Sequence, residues 1–242
     1  SGSGIVARFL KKHSEELIVN DLEEYSRLVN TCYLSNSGEV DGLELERHYR
    51  RLLRYMETHE SPGFITELYA PRNPERITAE DRVFYTRRNA LYLDTARQTI
   101  NLLPEEVRPY FIAPLLAEAS IHANTAGVFK GFYKDKQGVG KFGGSGGNAL
   151  SRILGDISLQ FPVFSRFDCR YSIHCRDANE LAEELPEMDV VYLDPPYNQH
   201  PYGSNYFMLN LLSSYEKPEE TSRVSGIPAD WKRSMYNSRQ HA

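Results

Sequence analysis

The residues Asp194-Pro195-Pro196-Tyr197 set a carboxylate, a prolyl carbonyl and an aromatic ring in direct succession. Such a group suits an exocyclic amine on a nucleobase. The lone pair of that amine is delocalised into the ring, so it is a poor nucleophile. The Asp194 carboxylate can accept one N–H and the Pro195 carbonyl the other, which draws the nitrogen toward tetrahedral geometry. A nearby anion stabilises positive charge that develops on the nitrogen as it attacks a methyl sulfonium. Tyr197 offers a face on which the base stacks. Alignment supplies the rest, with no covalent intermediate. A base inside a duplex is out of reach and has to be flipped out, at a cost of a few kcal/mol.

This group needs a rigid support. Val190-Val191-Tyr192-Leu193 is apolar and partly β-branched, and reads as a buried strand ending at Asp194. Pro195 and Pro196 lack the N–H needed to continue a ladder. Asp194 is therefore expected at the C-terminal edge of a sheet, where open α/β sheets bind ligands. Two more acids are expected there. A short strand at 17–19 leads to Asp21, and the "CRYSIHCRDANELAEEL" stretch reads as strand, turn and helix with Asp177 in the turn. Gly2 and Gly4 precede a helix in "IVARFLKKH" and let backbone approach a ligand closely. An acid at Asp21 suits the two hydroxyls of a ribose. No GK[ST] follows the glycines, and taken alone the turn suits NAD, FAD or S-adenosylmethionine. The Asp194 chemistry favours the last. Asp21 and Asp177 have a plainer reading as helix N-caps, which does not exclude ligand binding.

The middle of the chain is different. "LELERHYRRLLRYMETH" reads as a helix, whose Arg47, Arg50, Arg51 and Arg54 we take for a solvated face beside Glu44, Glu46 and Glu57. "SPGFITELYAPRNPERITAED" reads as loop. "AEDRVFYTRRNALYLDTARQTINLL" reads as one long amphipathic helix capped by Thr78, and "YFIAPLLAEASIHANTAGVF" as a buried helix in which His122 is a core residue. "GFYKDKQGVGKFGGSGGNALSRI" reads as a mobile loop. The fold class expected is α/β: a doubly wound, Rossmann-like sheet interrupted by a mostly helical insertion. Residues 1–35 and 160–242 form a discontinuous catalytic domain, and 36–159 carry the recognition region and the Gly-rich loop. No strand precedes the glycines, so the first strand of the sheet is missing and the sequence reads as a fragment.

Composition bounds the rest. The 242 residues carry a net charge of −5, which gives no overall attraction to nucleic acid. Phosphate contacts would have to be local: Arg87 and Arg88, and Lys130, Lys134, Lys136 and Lys141 among glycines and aromatics. Cys32, Cys169 and Cys175 lack metal-site spacing and argue for a reducing compartment. His174 and Cys175 read as core residues. No apolar run spans a membrane, and we read no signal peptide.

"DPPY" resembles motif IV of the amino-group methyltransferases that make N6-methyladenine in DNA. "SGSGIVARF" resembles motif I without its leading strand, "NDLEEYS" the acidic motif II and "RDANEL" motif III. "DPPYNQHPYGSNYFML", "GFITELYAP", "ANTAGVFKGFYK" and "DTARQTI" resemble segments of the D12 class of adenine-specific DNA methylases. The resemblance thus runs over most of the chain. It implies a Rossmann-like, S-adenosylmethionine-dependent enzyme that methylates N6 of a flipped-out adenine in double-stranded DNA. Gly2 and Gly4 would face the methionine part of the cofactor, Asp21 its ribose, and Asp177 and Ala178 its adenine. Asp194, which also borders the cofactor, Pro195 and Tyr197 would hold the target adenine. Asn198, Tyr202, Asn205 and Tyr206 would form the loop that closes on it. The resemblance further implies a prokaryotic cytoplasmic restriction–modification or orphan methylase, with a cognate endonuclease as a partner of the former and no metal. An RNA adenine-N6 methyltransferase and a non-catalytic DNA-binding remnant remain alternatives.

Overall fold

The computed structural model describes residues 1–144, 146–196 and 201–237. Its sheet consists of two parallel strands, β1 (Glu16–Asn20) and β2 (Arg170–His174), paired in register from Glu16 opposite Arg170 to Asn20 opposite His174. Both run toward the edge that carries Asp21 and Asp177. Helix α1 (Ile5–Lys11) packs on this pair through Ala7, which joins Leu17, Val19, Leu34 and Cys169 in a small apolar cluster. The mixed helix and strand content with a small parallel sheet agrees with the α/β expectation.

The larger cluster is helical. It gathers residues of α2 (Glu24–Leu34), α3 (Gly42–Met56), α4 (Phe64–Tyr69), α5 (Arg87–Ile100), α6 (Arg108–Ile121) and α10 (Phe207–Ser214). On α5, Ala90, Leu93, Ala96 and Ile100 recur at helical spacing and all are fully buried. Pro114 lies inside α6 and cannot bond the carbonyl of Tyr110. That carbonyl instead faces Cys32 Sγ of α2 at 4.0 Å, so the proline sits where the two helices meet. Buried Lys11 donates to the carbonyl of Leu34 at the C-terminus of α2 and to Asn36, and Asn36 exchanges hydrogen bonds with Cys169 just before β2.

Four local expectations are corrected. Residues 190–193 form no strand: they make no ladder, and Val190 and Leu193 are 77% and 80% exposed. Apolar strand-forming side chains do not make a strand without a neighbouring ladder, and among the described residues β1 and β2 pair only with each other. The long helix is shorter, because Thr78 folds back onto Asp81 instead of capping. Residues 83–85 then run buried beneath Tyr69, whose carbonyl accepts from Phe84 and Tyr85, and α5 starts at Arg87 after its N-cap Thr86, whose hydroxyl accepts from the Asn89 N–H. The "FITELY" stretch, expected as loop, is helix α4. Its opening N–H groups are held by Asp94 of α5, which accepts from Gly63, Ile65, Thr66 and the hydroxyls of Thr66 and Tyr215. Within the Gly-rich stretch, expected as a loop, residues 134–140 form a hydrogen-bonded hairpin. Lys134 pairs antiparallel with Gly140, Asp135 caps the turn, and buried Asn124 clamps its base through Val83, Lys141 and Gly143. A short helix α7 (Leu150–Leu154) follows.

Candidate active site

The site is built on the C-terminal ends of β1 and β2. Asp21 follows β1 directly, and its N–H donates to His174 at the end of β2. The side chain of Asn20 donates to the Arg176 carbonyl at 3.0 Å and accepts from the Arg176 N–H at 3.2 Å. This pair of hydrogen bonds fixes the turn that leads to Asp177. Asp177 is the N-cap of α8 (Ala178–Ala182), accepting from the Asn179 N–H at 2.8 Å. The capping reading of Asp177 is therefore met, and Ala178 opens the helix. Asp21 is not the cap of α2; that position is Glu23.

Gly2 and Gly4 have positive φ, 53° and 72°. At Gly4 this is essential, since a Cβ would also lie 2.4 Å from Asn30 Oδ1 of α2. The turn brings the Gly2 N–H to Asp21 Oδ2 at 2.6 Å, while Asp21 Oδ1 accepts from Glu23 at 3.0 Å. Burial works to raise the pKa of Asp21, and the hydrogen bonds from the Gly2 and Glu23 N–H groups work to lower it.

A second wall comes from the C-terminal part of the chain. Helix α9 (Tyr202–Asn205) carries Tyr202 and Asn205 and runs into Tyr206 before α10. Tyr206 stacks with Tyr202 (centroids 5.9 Å apart) and lies 5.7 Å from Tyr25 of α2. Asn205 is buried; its carbonyl accepts from Phe129 at 2.7 Å, and its Oδ1 finds no partner among the described residues. Tyr202 and Asn205 thus stand on a short helix, and Tyr206 links it to α10. Sequence reasoning passed over the residues that seat this wall. Asn210 of α10 donates to Glu23 and accepts from the Tyr25 N–H, Lys232 donates to the Leu22 carbonyl, and Tyr236 donates to Asn179. Asn210 carried a signal: it is the lone amide in the apolar run "FMLNLL".

Asp194 and Pro195 follow the exposed run at 190–193. Both are exposed and outside any strand, which corrects the placement of Asp194 at the end of a ladder. Tyr197 and Asn198 lie outside the described residues. Of the basic candidates, Arg87 is exposed, but Arg88 is engaged with Asp156 and the Leu154 carbonyl. Lys130 and Lys134 are exposed, with Lys134 over the Phe132 ring, and Lys141 is half-buried at the hairpin base. His122 is satisfied by the Arg152 carbonyl, as expected of a core histidine. Among the described residues no cluster of three metal-ligating side chains occurs, and no helix is long and apolar enough to cross a membrane.

Paired strand ends bearing acids, behind a left-handed glycine turn, are where α/β proteins take up ligands. The family model for D12 class N6 adenine-specific DNA methyltransferases matches residues 1–238, and the chain belongs to that family. It is 28% identical over 245 residues to the type II methyltransferase M.NlaIII of Neisseria lactamica, covering 99% of this chain and 66% of that protein. It is 29% identical over 249 residues to the type II methyltransferase M.CviAII of Paramecium bursaria Chlorella virus 1, with 99% and 66% covered. Against the type II methyltransferase M.FokI of Planomicrobium okeanokoites it is 26% identical over 249 residues, 98% of this chain but 35% of that protein. The chain thus spans just under two-thirds of the first two relatives and about a third of the last. No solved structure matches it significantly.

Proposed function

We propose that the protein transfers a methyl group from S-adenosylmethionine to N6 of an adenine flipped out of double-stranded DNA. The observation that carries this reading is the pairing of Asp21 and Asp177 on adjacent strand ends, next to Gly2 and Gly4, in a chain that belongs to the D12 class. The donor set fits the cofactor: a carboxylate for a ribose diol at Asp21, and at Asp177 an acid with the Ala178 backbone beside it for an adenine amine. The cofactor, when bound, supplies an activated methyl on a sulfonium. In the proposed reaction Asp194 and the Pro195 carbonyl accept the two N–H groups of the adenine amine, which localises its lone pair. Tyr197 stacks on the base, and Asn198, Tyr202, Asn205 and Tyr206 close against it. The Lys134 hairpin, with Lys130 and Lys141, and Arg87 are the proposed phosphate contacts.

In this reading residues 1–35 and 160–242 form a Rossmann-like catalytic domain and 36–159 the recognition insertion. The names of the relatives support a restriction–modification setting, with a cognate endonuclease as partner and the cytoplasm as location. A second reading, a DNA-binding remnant without turnover, draws support from the exposure of residues 190–194. The deciding experiment is transfer of labelled methyl to unmethylated duplex DNA and to RNA, with nucleoside analysis, for the protein and Asp194→Ala. N6-methyladenine in DNA, lost in the variant, supports the enzyme. Label only in RNA moves the substrate. No transfer with DNA binding unchanged in Asp194→Ala favours the remnant.

A further inference from the structure

Glu23 lies two residues beyond Asp21 and occupies the N-cap position of α2, yet its side chain makes no cap hydrogen bond. Its carboxyl is instead turned inward and only 3% of the residue is exposed. Burying an acid next to another acid is unfavourable and requires compensation. The compensating hydrogen bond comes from a residue far along the chain, and Lys232 adds a favourable charge. Asn210 Nδ2 donates to Glu23 Oε2 at 2.5 Å, and Asn210 Oδ1 accepts from the Tyr25 N–H at 3.2 Å. Asn210 therefore caps a free N–H in the first turn of α2, which the N-cap side chain would otherwise take. The other carboxylate oxygen faces α9, where a Cβ on Gly203 would lie 3.2 Å from Glu23 Oε1 and 2.5 Å from the Lys232 carbonyl. Only a glycine lets α9 rest so closely on this acid.

We propose that Glu23 is a positioning residue: through Asn210 and Gly203 it holds the helix pair bearing Tyr202, Asn205 and Tyr206 in register with the strand end bearing Asp21. The inference rests on the proposed reading of Asp21 as a cofactor residue and of α9 as a substrate wall. The path is short. The Glu23 N–H bonds Asp21, its carboxyl bonds Asn210, and Asn210 lies one helical turn from Tyr206. An apolar pair would give equal packing at lower cost, because a buried carboxylate is a poor source of stability compared with hydrophobic residues of similar size. What the hydrogen-bonded acid provides and an apolar pair does not is a single relative placement of the two elements.

The test uses the full protein with Glu23→Ala, Glu23→Gln, Asn210→Ala and the Glu23→Ala/Asn210→Ala double variant. Three quantities are read: amide exchange across residues 201–214, the Kd for S-adenosylmethionine, and the single-turnover rate of methyl transfer to DNA. In Glu23→Ala, exchange at 201–214 should quicken relative to α5, and the transfer rate should fall about 100-fold, as expected for a misplacement of about 1 Å. The cofactor Kd should change less than about threefold, since the Asp21 bond to the backbone at 23 is retained. Glu23→Gln keeps an acceptor for Asn210 and should recover most of the rate. The double variant should be no worse than Glu23→Ala alone. Unchanged exchange and rate in Glu23→Ala would overturn the proposal, as would a Kd rise that accounts for the whole loss, or additive effects in the double variant. If the unmodified protein methylates nothing, the functional reading fails while the exchange comparison still decides the link.

Discussion

Asn20 and Arg176 are 156 residues apart and exchange two hydrogen bonds, side-chain amide to backbone carbonyl and backbone N–H to side-chain oxygen. An asparagine at a strand end can satisfy the backbone of the neighbouring turn in both directions, because it carries a donor and an acceptor at fixed spacing. The pair sets Asp177 beside Asp21 across the strand pair. Replacing Asn20 by Ala frees the turn without touching the acids. The expected result is a rise of about tenfold in the Kd for S-adenosylmethionine, of the size seen when a supporting residue behind a ligand is removed. Calorimetric titration of wild type and Asn20→Ala measures it, and an unchanged Kd would show that Asp177 is held by α8 alone.

Asp94 is fully buried and accepts five hydrogen bonds, three of them from backbone N–H groups at the start of α4. Asp94→Ala leaves those donors without partners. The expected loss of stability is about 3 kcal/mol or more, since each unpaired buried donor costs about 1–3 kcal/mol. Urea unfolding gives the value. Asp94→Asn, which keeps an acceptor oxygen, should lose less.

The pH dependence of stability should carry the mark of Glu23. Burial raises its pKa; the Asn210 hydrogen bond lowers it, Asp21 raises it and Lys232 lowers it, with a net rise. A carboxyl whose folded pKa is raised binds its proton longer in the folded state than in the unfolded one. Stability therefore falls as pH rises from the ordinary glutamate value, about 4.3, through the raised one. Glu23→Gln removes this dependence. Thermal unfolding across pH 4 to 8 should find the variant gaining on the wild type as pH rises through that window and holding its gain above it. A constant difference at all pH values would show that Glu23 does not titrate abnormally.

The thiols should separate by reactivity. Burial pushes the Cys32 thiol up to about 12, and the side chain is fully inaccessible between α2 and α6. A thiol that stays protonated does not react. Burial raises the Cys175 thiol as well, with Lys232 Nζ 3.9 Å from its sulfur working against that rise, but this side chain is partly exposed and open to reagent. Mapping of iodoacetamide adducts should find Cys175 modified in the native protein and Cys32 only after unfolding. Early labelling of Cys32 would mean that the α2–α6 contact opens readily.

Much of the local structure around the candidate site was legible in the chain itself, because its signals are local. The glycines before α1, the acids after β1 and β2 and the cap at Asp177 each depend on a few neighbouring residues, and each falls where sequence patterns put it. The elements that differed depend on distant partners. The apolar run at 190–193 has strand chemistry but no ladder beside it. Asp81 takes Thr78 away from its expected cap, and the Tyr69 carbonyl holds 84–85 out of the helix. The hairpin at 134–140 is ordered by Asn124, whose three bonds no periodicity reveals. Glu23 and Asn210 became partners only when α10 packed on α2. Residue type and spacing determined which groups could do chemistry. Tertiary packing decided which of them meet, because a hydrogen bond between residues 187 apart requires the whole helical core to bring their backbones together.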